Sequence, residues 1–315
     1  MADVHVVLGG SGGIGRAVVG ELVARSRSVR AVGREAPAGM PDGVESVAAD
    51  LATAAGARRA CSGARVVYHC AQPAYTRWAA EFPSLTESIA AAAGAAGARL
   101  VQADNLYAYG PVDGPMREDT PERPVGAKGR TRAAMTGSLL EAHAAGRVAV
   151  AIGRASDYYG PGGRRSTAGE TIFVPAVKGK KARWLGRLDQ PHTFNFLPDL
   201  ARGLVTLGER DEALGGVWHL PAAEPVTGRG FLELVFESAG QPPRIGSVSK
   251  PMLRAAGLFS PLVRELVETS YQFQRPFVSD AAKFQRAFGP FAVTPHPQAV
   301  AATVAWFAAE LGATG

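Results

Sequence analysis

The sequence predicts an α/β fold in which a doubly wound parallel sheet of about seven strands is followed by a smaller C-terminal subdomain. Three observations lead to this fold class. Short β-branched runs alternate with amphipathic helical patterns over the first half of the chain. The central runs are apolar throughout, which is typical of parallel strands covered on both faces. A glycine-rich loop separates the first run from the first helical pattern.

The predicted elements follow the order that such a sheet requires. Strands are predicted at residues 4–8, 29–34, 44–47, 65–73, 99–103, 148–152 and 216–220. Helices are predicted to begin near Gly13 and to span residues 82–98, 131–145, 231–238, 261–273 and 297–311, and residues 194–208 are predicted to form a short strand and a helix. Residues 111–124 are rich in Pro, Gly and charge, so we expect a loop across the site.

The glycine-rich loop predicts a phosphate-binding turn. Gly9, Gly12 and Gly15 have the spacing GxxGxxG between a strand and a helix, which is the context that the motif requires. Glycines let the backbone approach a pyrophosphate, whose charge the helix N-terminus favours. The alternative is a glycine-rich β-turn without a ligand. The loop residues predicted to bind a dinucleotide are Gly9, Ser11, Gly12, Gly13, Ile14 and Gly15.

Residues after three further strands extend the predicted cofactor site. Arg34 follows the second strand, where a Rossmann fold meets the adenosine ribose, and its guanidinium suits a 2′-phosphate. NADP(H) is therefore the predicted cofactor, although a solvated surface arginine is the alternative. Asp50 is predicted to accept a hydrogen bond from the adenine amino group or to cap a helix. The other predicted contacts are Leu51, Cys70, Ala71 and Gln72.

Strand and helix stop alternating strictly after Arg154, and this change divides the chain. We expect residues 1–165 to form the NADP(H)-binding Rossmann domain, to which residues 191–220 return. Residues 166–190 and 221–315 are expected to form mainly a substrate-binding subdomain.

Composition excludes several classes of partner. The 315 residues have a formal net charge of +6, but the lysines and arginines are scattered apart from short clusters at 164–165 and 178–181. This pattern favours anionic small molecules over nucleic acid. Cys61, expected in a turn, and Cys70, expected in a strand, lack metal-ligand spacing and suit a reduced interior. We expect a cytoplasmic protein without a metal, a nucleic-acid partner or a membrane partner, and we expect His69 to be a core residue.

The motifs together resemble the extended short-chain dehydrogenase/reductases, the NAD-dependent epimerase/dehydratase family. The resemblance covers nearly the whole chain. It rests on the glycine loop, Asp50-Leu51, Cys70-Ala71, Tyr109-Gly110, Arg154, Tyr159-Gly160-Pro161-Gly162 and residues 194–201. It implies a dimer formed through the predicted helices 82–98 and 131–145.

The sequence departs from this family where the family carries its proton chemistry. Members resemble one another in a Ser or Thr after the fifth strand and in a Tyr and a Lys four residues apart on the next helix. Asn105 takes the Ser position here, Lys128 takes the Tyr position and Arg132 takes the Lys position. No tyrosine lies between Gly110 and Tyr158 that could replace the missing one.

Three interpretations of this departure remain. In the first, NADPH supplies a hydride and Asn105, Tyr107, Tyr158 or the substrate itself polarises the ketone. In the second, Lys128 is the general acid, with a pKa lowered by Arg132 and burial. In the third, the protein binds NADP(H) for regulation without catalysis.

We favour the first interpretation because the second half of the chain keeps many aromatic residues. They are Phe173, Trp184, Phe194, Phe196, Trp218, Phe259, Tyr271 and Phe273. Such residues suit a flat, apolar ketone, while a basic cluster at residues 178–183 leaves a nucleotide-sugar substrate open. Family members without the Tyr and Lys resemble ketoreductases that tailor aromatic polyketide antibiotics, including the simocyclinone type. The resemblance therefore implies an NADPH-dependent ketoreductase of antibiotic biosynthesis.

Overall fold

The computed structural model describes residues 3–312, so residues 1, 2 and 313–315 of the two predicted domains lie outside it. The strands are β1 Val4–Leu8, β2 Ser28–Gly33, β3 Glu45–Ala48, β4 Ala64–His69, β5 Arg99–Asn105, β6 Ala149–Ala155, β7 Asp157–Tyr159, β8 Ala182–Leu185, β9 Pro191–His192, β10 Phe194–Phe196, β11 Val217–His219, β12 Val226–Thr227 and β13 Ile245–Val248. The helices are α1 Gly13–Ala24, α2 Ala54–Cys61, α3 Trp78–Ala95, α4 Ala127–Ala144, α5 Glu170–Val177, α6 Leu197–Glu209, α7 Gly228–Ser238, α8 Lys250–Gly257, α9 Pro261–Thr269, α10 Ala282–Phe288 and α11 His296–Gly312.

The central sheet is parallel and has seven strands in the order β11-β6-β5-β4-β1-β2-β3. This confirms the predicted fold class. The chain moves outward from β1 to β3 and then returns to β4 on the other side of β1. Such a reversal opens a crevice at the carboxyl ends of the two central strands. The loops that follow β1 and β4 therefore meet at the place where an open α/β sheet binds its ligands.

Two apolar layers cover the sheet, and the alternation of side chains along β1 shows how. Val6 and Leu8 face a core that includes Ile89 of α3 and Leu139 of α4. Val7 points to the opposite face, into a core built with α1 and α6. Helices thus lie on both faces, as a buried parallel sheet requires.

A separate core holds the second half of the chain together. It is mainly aromatic, and Phe173 of α5 stacks on Phe307 of α11 with ring centres 5.3 Å apart. Phe194 stacks on Phe231 of α7 at 4.7 Å. These contacts join helices that are distant in sequence. The division of the chain into two domains at residue 165 stays a prediction.

The structure corrects several predicted elements. Cys61 was expected in a turn, but it is the buried last residue of helix α2. Thr53 caps this short helix, whose apolar pattern was too brief to predict it from the sequence. The helices α5, α8 and α10 were not predicted either; each has only seven or eight residues. Helix α4 begins four residues before the predicted Thr131, since buried polar side chains mask its apolar face. Across residues 3–312, the helices are too short or too polar to cross a membrane.

Candidate active site

The loop between β1 and α1 is packed too tightly for side chains at two of its glycines. Gly9 has a φ of 81°, and a Cβ atom there would lie 2.7 Å from the backbone of Ala71. A Cβ atom on Gly15 would overlap the carbonyl oxygen of Gly9. The amides of Gly9 and Gly10 both donate to the carbonyl of Val32, at 2.9 and 3.0 Å. These contacts hold the loop against the ends of β2 and β4.

The N-terminus of α1 is open toward this loop. Gly12 is the N-cap residue, and no side chain of the described residues caps the helix. The first turn therefore presents unpaired amides and the positive end of the helix dipole, a combination that binds phosphate groups. Gly13 lies so close to the loop after β7 that a Cβ atom would come within 3.0 Å of the carbonyl oxygen of Gly162. The cradle fits a dinucleotide pyrophosphate.

Arg34 lines the same cleft as the glycine-rich loop, and its contact with the ribose end of a cofactor stays a prediction. It follows β2, is exposed, and makes no hydrogen bond or ion pair with the rest of residues 3–312. Arg16 behaves differently, because its guanidinium donates to the carbonyl oxygens of Ala38 and Gly39 at 2.8 and 3.3 Å. Arg16 is thus engaged with the loop at Ala38 and Gly39, whereas the Arg34 guanidinium has no such partner among residues 3–312.

Asp50 does not cap α2. Its Oδ1 atom accepts from the amide of Ala52 at 3.1 Å, while Thr53 caps the helix by accepting from the amide of Gly56 at 3.1 Å. The carboxylate is exposed next to Leu51, which is buried. The role of Asp50 toward an adenine group stays a prediction.

One large cleft, with a volume of about 2930 Å³, connects these features to the second half of the chain. Twelve of the predicted site residues line it: Gly9, Ser11, Gly12, Gly13, Arg34, Asp50, Leu51, Cys70, Ala71, Gln72, Tyr107 and Tyr158. Ile14 instead packs on the core beneath the loop, and Gly15 is buried behind it. Asn105, Lys128 and Arg132 lie outside the lining. Most of the predicted cofactor residues thus line one cleft. Of the predicted proton donors, Tyr107 and Tyr158 line it, whereas Asn105 and Lys128 do not.

Asn105 holds a turn together. Its Oδ1 atom accepts from the amide of Tyr107 at 3.1 Å, at the start of the short 3₁₀-helix Tyr107–Tyr109 that follows β5. This contact occupies one lone pair of the amide oxygen and directs Tyr107 toward the cleft.

Lys128 is buried behind the cleft wall. Its ammonium group forms an ion pair with Glu265 of α9 and lies 4.4 Å from the centre of the Tyr75 ring. The backbone amide of Lys128 donates to Glu268 at 2.7 Å. Burial lowers the pKa of the Lys128 amine, and the Glu268 carboxylate opposes this shift. The pKa of Lys128 is thus lowered, as predicted, but the cause is burial and not the neighbouring Arg132.

Arg132 lies one turn farther along the same face of α4. Its guanidinium carbon is 4.5 Å from the ring centres of both Trp78 and Phe82, and it pairs with Asp104 at 3.2 Å. Asp104 also pairs with the fully buried Arg154 at 3.0 Å. Arg132 therefore contributes to a buried charge cluster that joins α4 to β5 and β6.

A group of tyrosines forms the wall that Lys128 supports. Tyr75, which follows β4, and Tyr107 both line the cleft, and each hydroxyl is close enough to the other to affect its pKa. The Tyr75 hydroxyl also meets Thr269 of α9 at 3.2 Å. Sequence reasoning missed Tyr75, because it lies in a loop outside the matched motifs; its place just after a central strand was the available signal.

Burial keeps these phenols protonated. It raises the pKa of Tyr158 to about 12 and the pKa of Tyr107 well above its usual value. Beside them, the hydroxyl of Tyr271 and the Oε1 atom of Gln272 are buried and have no hydrogen-bond partner in residues 3–312. Unpaired buried polar atoms next to a cleft are typical of a site that a ligand completes.

His69 is a core residue, as expected. It is fully buried, its Nε2 atom lies 3.3 Å from the hydroxyl of Thr86, and burial lowers its pKa to about 3. The neutral ring supports the strand below the cleft and takes no part in its lining.

The far end of the cleft combines aromatic and basic residues. Of the aromatic residues predicted for a substrate pocket, Trp184, Phe194 and Phe273 line it. These three rings are nearly buried and belong to the same aromatic core as Phe173 and Phe196, whereas Trp218 lies in the core beside the central sheet. Tyr271 is mostly buried, and Phe259 is 90% exposed. Lys181 and Arg183, which are close to Trp184 in sequence, also line the cleft, as do Leu262 and Leu266 of α9.

Comparisons with known proteins agree with this geometry. Residues 5–219 match the model of the NAD dependent epimerase/dehydratase family. The chain is 30% identical over 264 residues to a dTDP-6-deoxy-L-talose 4-dehydrogenase (NAD(P)(+)) from Kitasatospora kifunensis, covering 78% of this chain and 82% of that protein. It is 28% identical to a 4-hydroxy-2-methyl-3-oxo-4-farnesyl-3,4-dihydroquinoline-1-oxide ketoreductase from Stigmatella aurantiaca, covering 79% and 77% of the two chains.

Solved structures show the same fold. A dTDP-glucose 4,6-dehydratase from Streptomyces venezuelae, solved as a double mutant with NAD bound, superimposes with a TM-score of 0.81 at 19% identity and covers 98% of both chains. The family match, the nucleotide cradle and the parallel sheet agree with one another. The chain belongs to the NAD-dependent epimerase/dehydratase family and is an NAD(P)-dependent oxidoreductase.

Proposed function

We propose that the protein is an NADPH-dependent reductase of a ketone in a bulky, apolar natural product of the aromatic polyketide kind. The observation that carries the proposal is the composition of the cleft wall. Tyr75, Tyr107 and Tyr158 line the same cleft as the cofactor cradle, and the nearly buried rings of Trp184, Phe194 and Phe273 border it. Aromatic rings in a cleft wall favour a flat apolar ligand, and the tyrosine hydroxyls offer hydrogen bonds to its carbonyl oxygens.

NADPH is the proposed form of the cofactor. When bound, it supplies the hydride. Arg34 would hold the 2′-phosphate, and the amides at the start of α1 would hold the pyrophosphate. The loops after β2, β3 and β4 would position the rest of the cofactor, through Arg34, Asp50 and the segment Cys70 to Gln72.

Tyr107, supported by Tyr75, is the proposed source of the proton. Asn105 is engaged with the backbone, Lys128 is paired with Glu265, and Arg132 is enclosed by aromatic rings. Tyr107 remains protonated because burial raises its pKa, so it can donate a hydrogen bond to a carbonyl oxygen. As that oxygen becomes an alkoxide, it becomes a stronger base than a phenolate, and proton transfer from Tyr107 stays favourable.

The relatives support a reductase but leave two substrate classes. The ketoreductase from Stigmatella aurantiaca acts on a farnesylated quinoline oxide, which resembles the apolar ligand proposed here. The dehydrogenase from Kitasatospora kifunensis acts on a nucleotide sugar. Lys181 and Arg183 at the cleft favour this second candidate, since a diphosphate needs cations. A nucleotide-sugar 4-ketoreductase is therefore the alternative function.

The proposal is tested by NADPH consumption with the purified full chain. Two panels of ketones are compared, one of polycyclic aromatic compounds and one of dTDP- or UDP-linked hexuloses. Turnover confined to the aromatic panel is the expected result. Turnover confined to the second panel would establish the alternative, and tight NADPH binding without turnover on either panel would favour a cofactor-binding protein that does not catalyse.

A further inference from the structure

Large exposed apolar side chains gather at one place on the surface. Among residues 3–312, five have more than half of their surface exposed: Val125, Met252, Leu258, Phe259 and Leu262. Four of them lie within eleven residues of α8, α9 and the turn between these helices, which we call the hairpin (residues 250–269). Leu258 and Phe259 form its tip, with 74% and 90% of their surface exposed. An apolar cluster of this kind marks an interaction surface.

The same region carries the excess positive charge of the protein. Residues 178–185 and 239–264 contain eight lysines and arginines and no Asp or Glu. The remaining 26 basic residues are outnumbered by the 28 acids of the chain, so these two segments account for the positive net charge. The segments adjoin each other because β8 pairs with β13, which leads into α8. Lys250, Arg254 and Arg264 are exposed on the hairpin itself.

The hairpin borders the substrate end of the cleft. Leu262 is exposed and also lines the cleft, as does Leu266 one turn later. Lys181 and Arg183 of the basic segment line the same end. The exposed apolar tip, the basic surface and the mouth of the cleft are therefore continuous with one another.

We propose that the hairpin docks on an anionic phospholipid bilayer, with Leu258 and Phe259 inserted among the lipids and the basic residues against the headgroups. Apolar residues beside Lys and Arg are the composition of helices that lie in a membrane interface, and such helices do not span the bilayer. A hairpin with only four exposed large apolar side chains suits a fluid phase better than a protein partner, since a stable protein interface buries about 800 Å² on each side. This inference departs from the expectation, drawn from sequence, of no membrane partner.

Docking would place the mouth of the cleft at the surface of the bilayer. A lipophilic ketone dissolved in the lipid would then reach Leu262 and Leu266 without crossing water. This consequence rests on the proposed function, whereas the docking itself does not.

Vesicle flotation of the full chain tests the docking without measuring activity. Vesicles of phosphatidylcholine alone are compared with vesicles that also contain phosphatidylglycerol. The protein is expected to float with the anionic vesicles and to be released by salt. Reversing two charges in Lys250→Glu/Arg254→Glu should weaken binding at least tenfold, since each basic residue near an anionic surface strengthens binding about fivefold. Leu258→Ser/Phe259→Ser should weaken it by a similar factor.

Matched controls separate docking from a loss of folding. Arg58→Glu/Arg147→Glu reverses two exposed arginines on the opposite half of the chain and should change vesicle binding less than twofold. All variants should keep the melting temperature and the NADPH affinity of the parent protein. Equal flotation with both kinds of vesicle, or none, would overturn the proposal. So would a concentration-dependent dimer that Leu258→Ser/Phe259→Ser dissolves, because the tip would then be a contact between copies.

Discussion

The ammonium group of Lys128 lies over the Tyr75 ring, 4.4 Å from its centre. Lys128 occupies the place in sequence where the family carries its tyrosine, yet its cation supports a tyrosine that comes from another element. The contact makes Tyr75 part of a layer between α4 and the cleft. Tyr75 and Tyr107 line the cleft, and the buried Lys128 lies outside that lining.

Replacement of Lys128 should leave catalysis largely intact. Lys128→Met keeps the length of the side chain and removes the charge, so we expect more than a tenth of the parent kcat/KM with the preferred ketone. A loss of several orders of magnitude with unchanged NADPH binding would instead make Lys128 the general acid. Glu265→Gln is the matched variant, and it should destabilise the fold more than Lys128→Met, by about 1 to 3 kcal/mol, because it leaves a buried ammonium unpaired. Urea unfolding of both variants measures this difference.

Tyr107 should be the residue whose hydroxyl matters most for turnover. Tyr107→Phe removes the proposed proton donor, and we expect kcat to fall by about 10²- to 10⁴-fold with the NADPH dissociation constant unchanged. Tyr109→Phe is the control, since Tyr109 is fully buried, bonds to His219 at 2.8 Å and does not line the cleft. It should keep kcat within about threefold of the parent value. Near-normal turnover of Tyr107→Phe would exclude Tyr107 as the donor.

Arg34 should set the preference for NADPH. We expect NADPH to bind much more tightly than NADH, and Arg34→Ala to weaken NADPH binding by about 10- to 100-fold through the loss of charged hydrogen bonds. Binding of NADH should not change. Calorimetric titration measures both constants, and Arg58→Ala, which alters an exposed arginine on α2, should affect neither. Equal affinities of the parent protein for the two cofactors would contradict the assignment.

Two glycines of α1 should respond in opposite ways to the same substitution. Gly15→Ala places a methyl group against the carbonyl of Gly9 and should abolish cofactor binding and lower stability. Gly20→Ala has nothing within 4 Å of the new atom and should stabilise the fold by about 0.5 to 1 kcal/mol, since glycine weakens a helix interior. Thermal unfolding and NADPH titration check both variants. Equal effects would show that the loop relaxes more than its packing indicates.

Acid should destabilise the protein through its buried histidines. Burial lowers the pKa values of His69 and His219 to about 3, below the ordinary value of 6.5. The unfolded state therefore binds more protons between these values, and stability falls as the pH drops through this window. In His69→Gln, the slope of unfolding free energy against pH should decrease by up to about 1.4 kcal/mol per pH unit. Thr86→Val keeps the histidine and should keep the slope; an unchanged slope in His69→Gln would contradict the argument.

The cofactor half of the site could be predicted from sequence because its signals are local. Gly9 to Gly15, Arg34 and Cys70 each follow a strand directly, and parallel strands present their carboxyl ends at one edge. Ile14 and Gly15 show the limit of this reasoning. Ile14 packs on the core and Gly15 is buried behind the loop, and spacing alone cannot distinguish such packing from contact with a ligand. Their contact with a cofactor through backbone amides stays a prediction.

Tyr107 and Tyr158 were candidates from the sequence and both line the cleft, but the contacts around the proposed donor could not be predicted, because they depend on packing between distant segments. Lys128 meets Glu265, and Tyr75 meets Thr269, across separations of 137 and 194 residues. The apolar periodicity of a single segment cannot predict contacts between residues so far apart in sequence. Short helices such as α8 were missed for a related reason, since eight residues contain too few turns for an apolar pattern to emerge.

The cleft is built from two sets of segments that are separate in sequence. Residues 9–13, 33–36, 50–52 and 70–72 form its cofactor end, while residues 181–185 and 262–273 contribute to its far end. Since the two sets come from separate segments, we expect mutations in one set to leave the packing of the other largely unchanged. The substrate preference can therefore change during evolution, or by mutation of Trp184 and Phe273, while the preference for the nicotinamide cofactor stays the same.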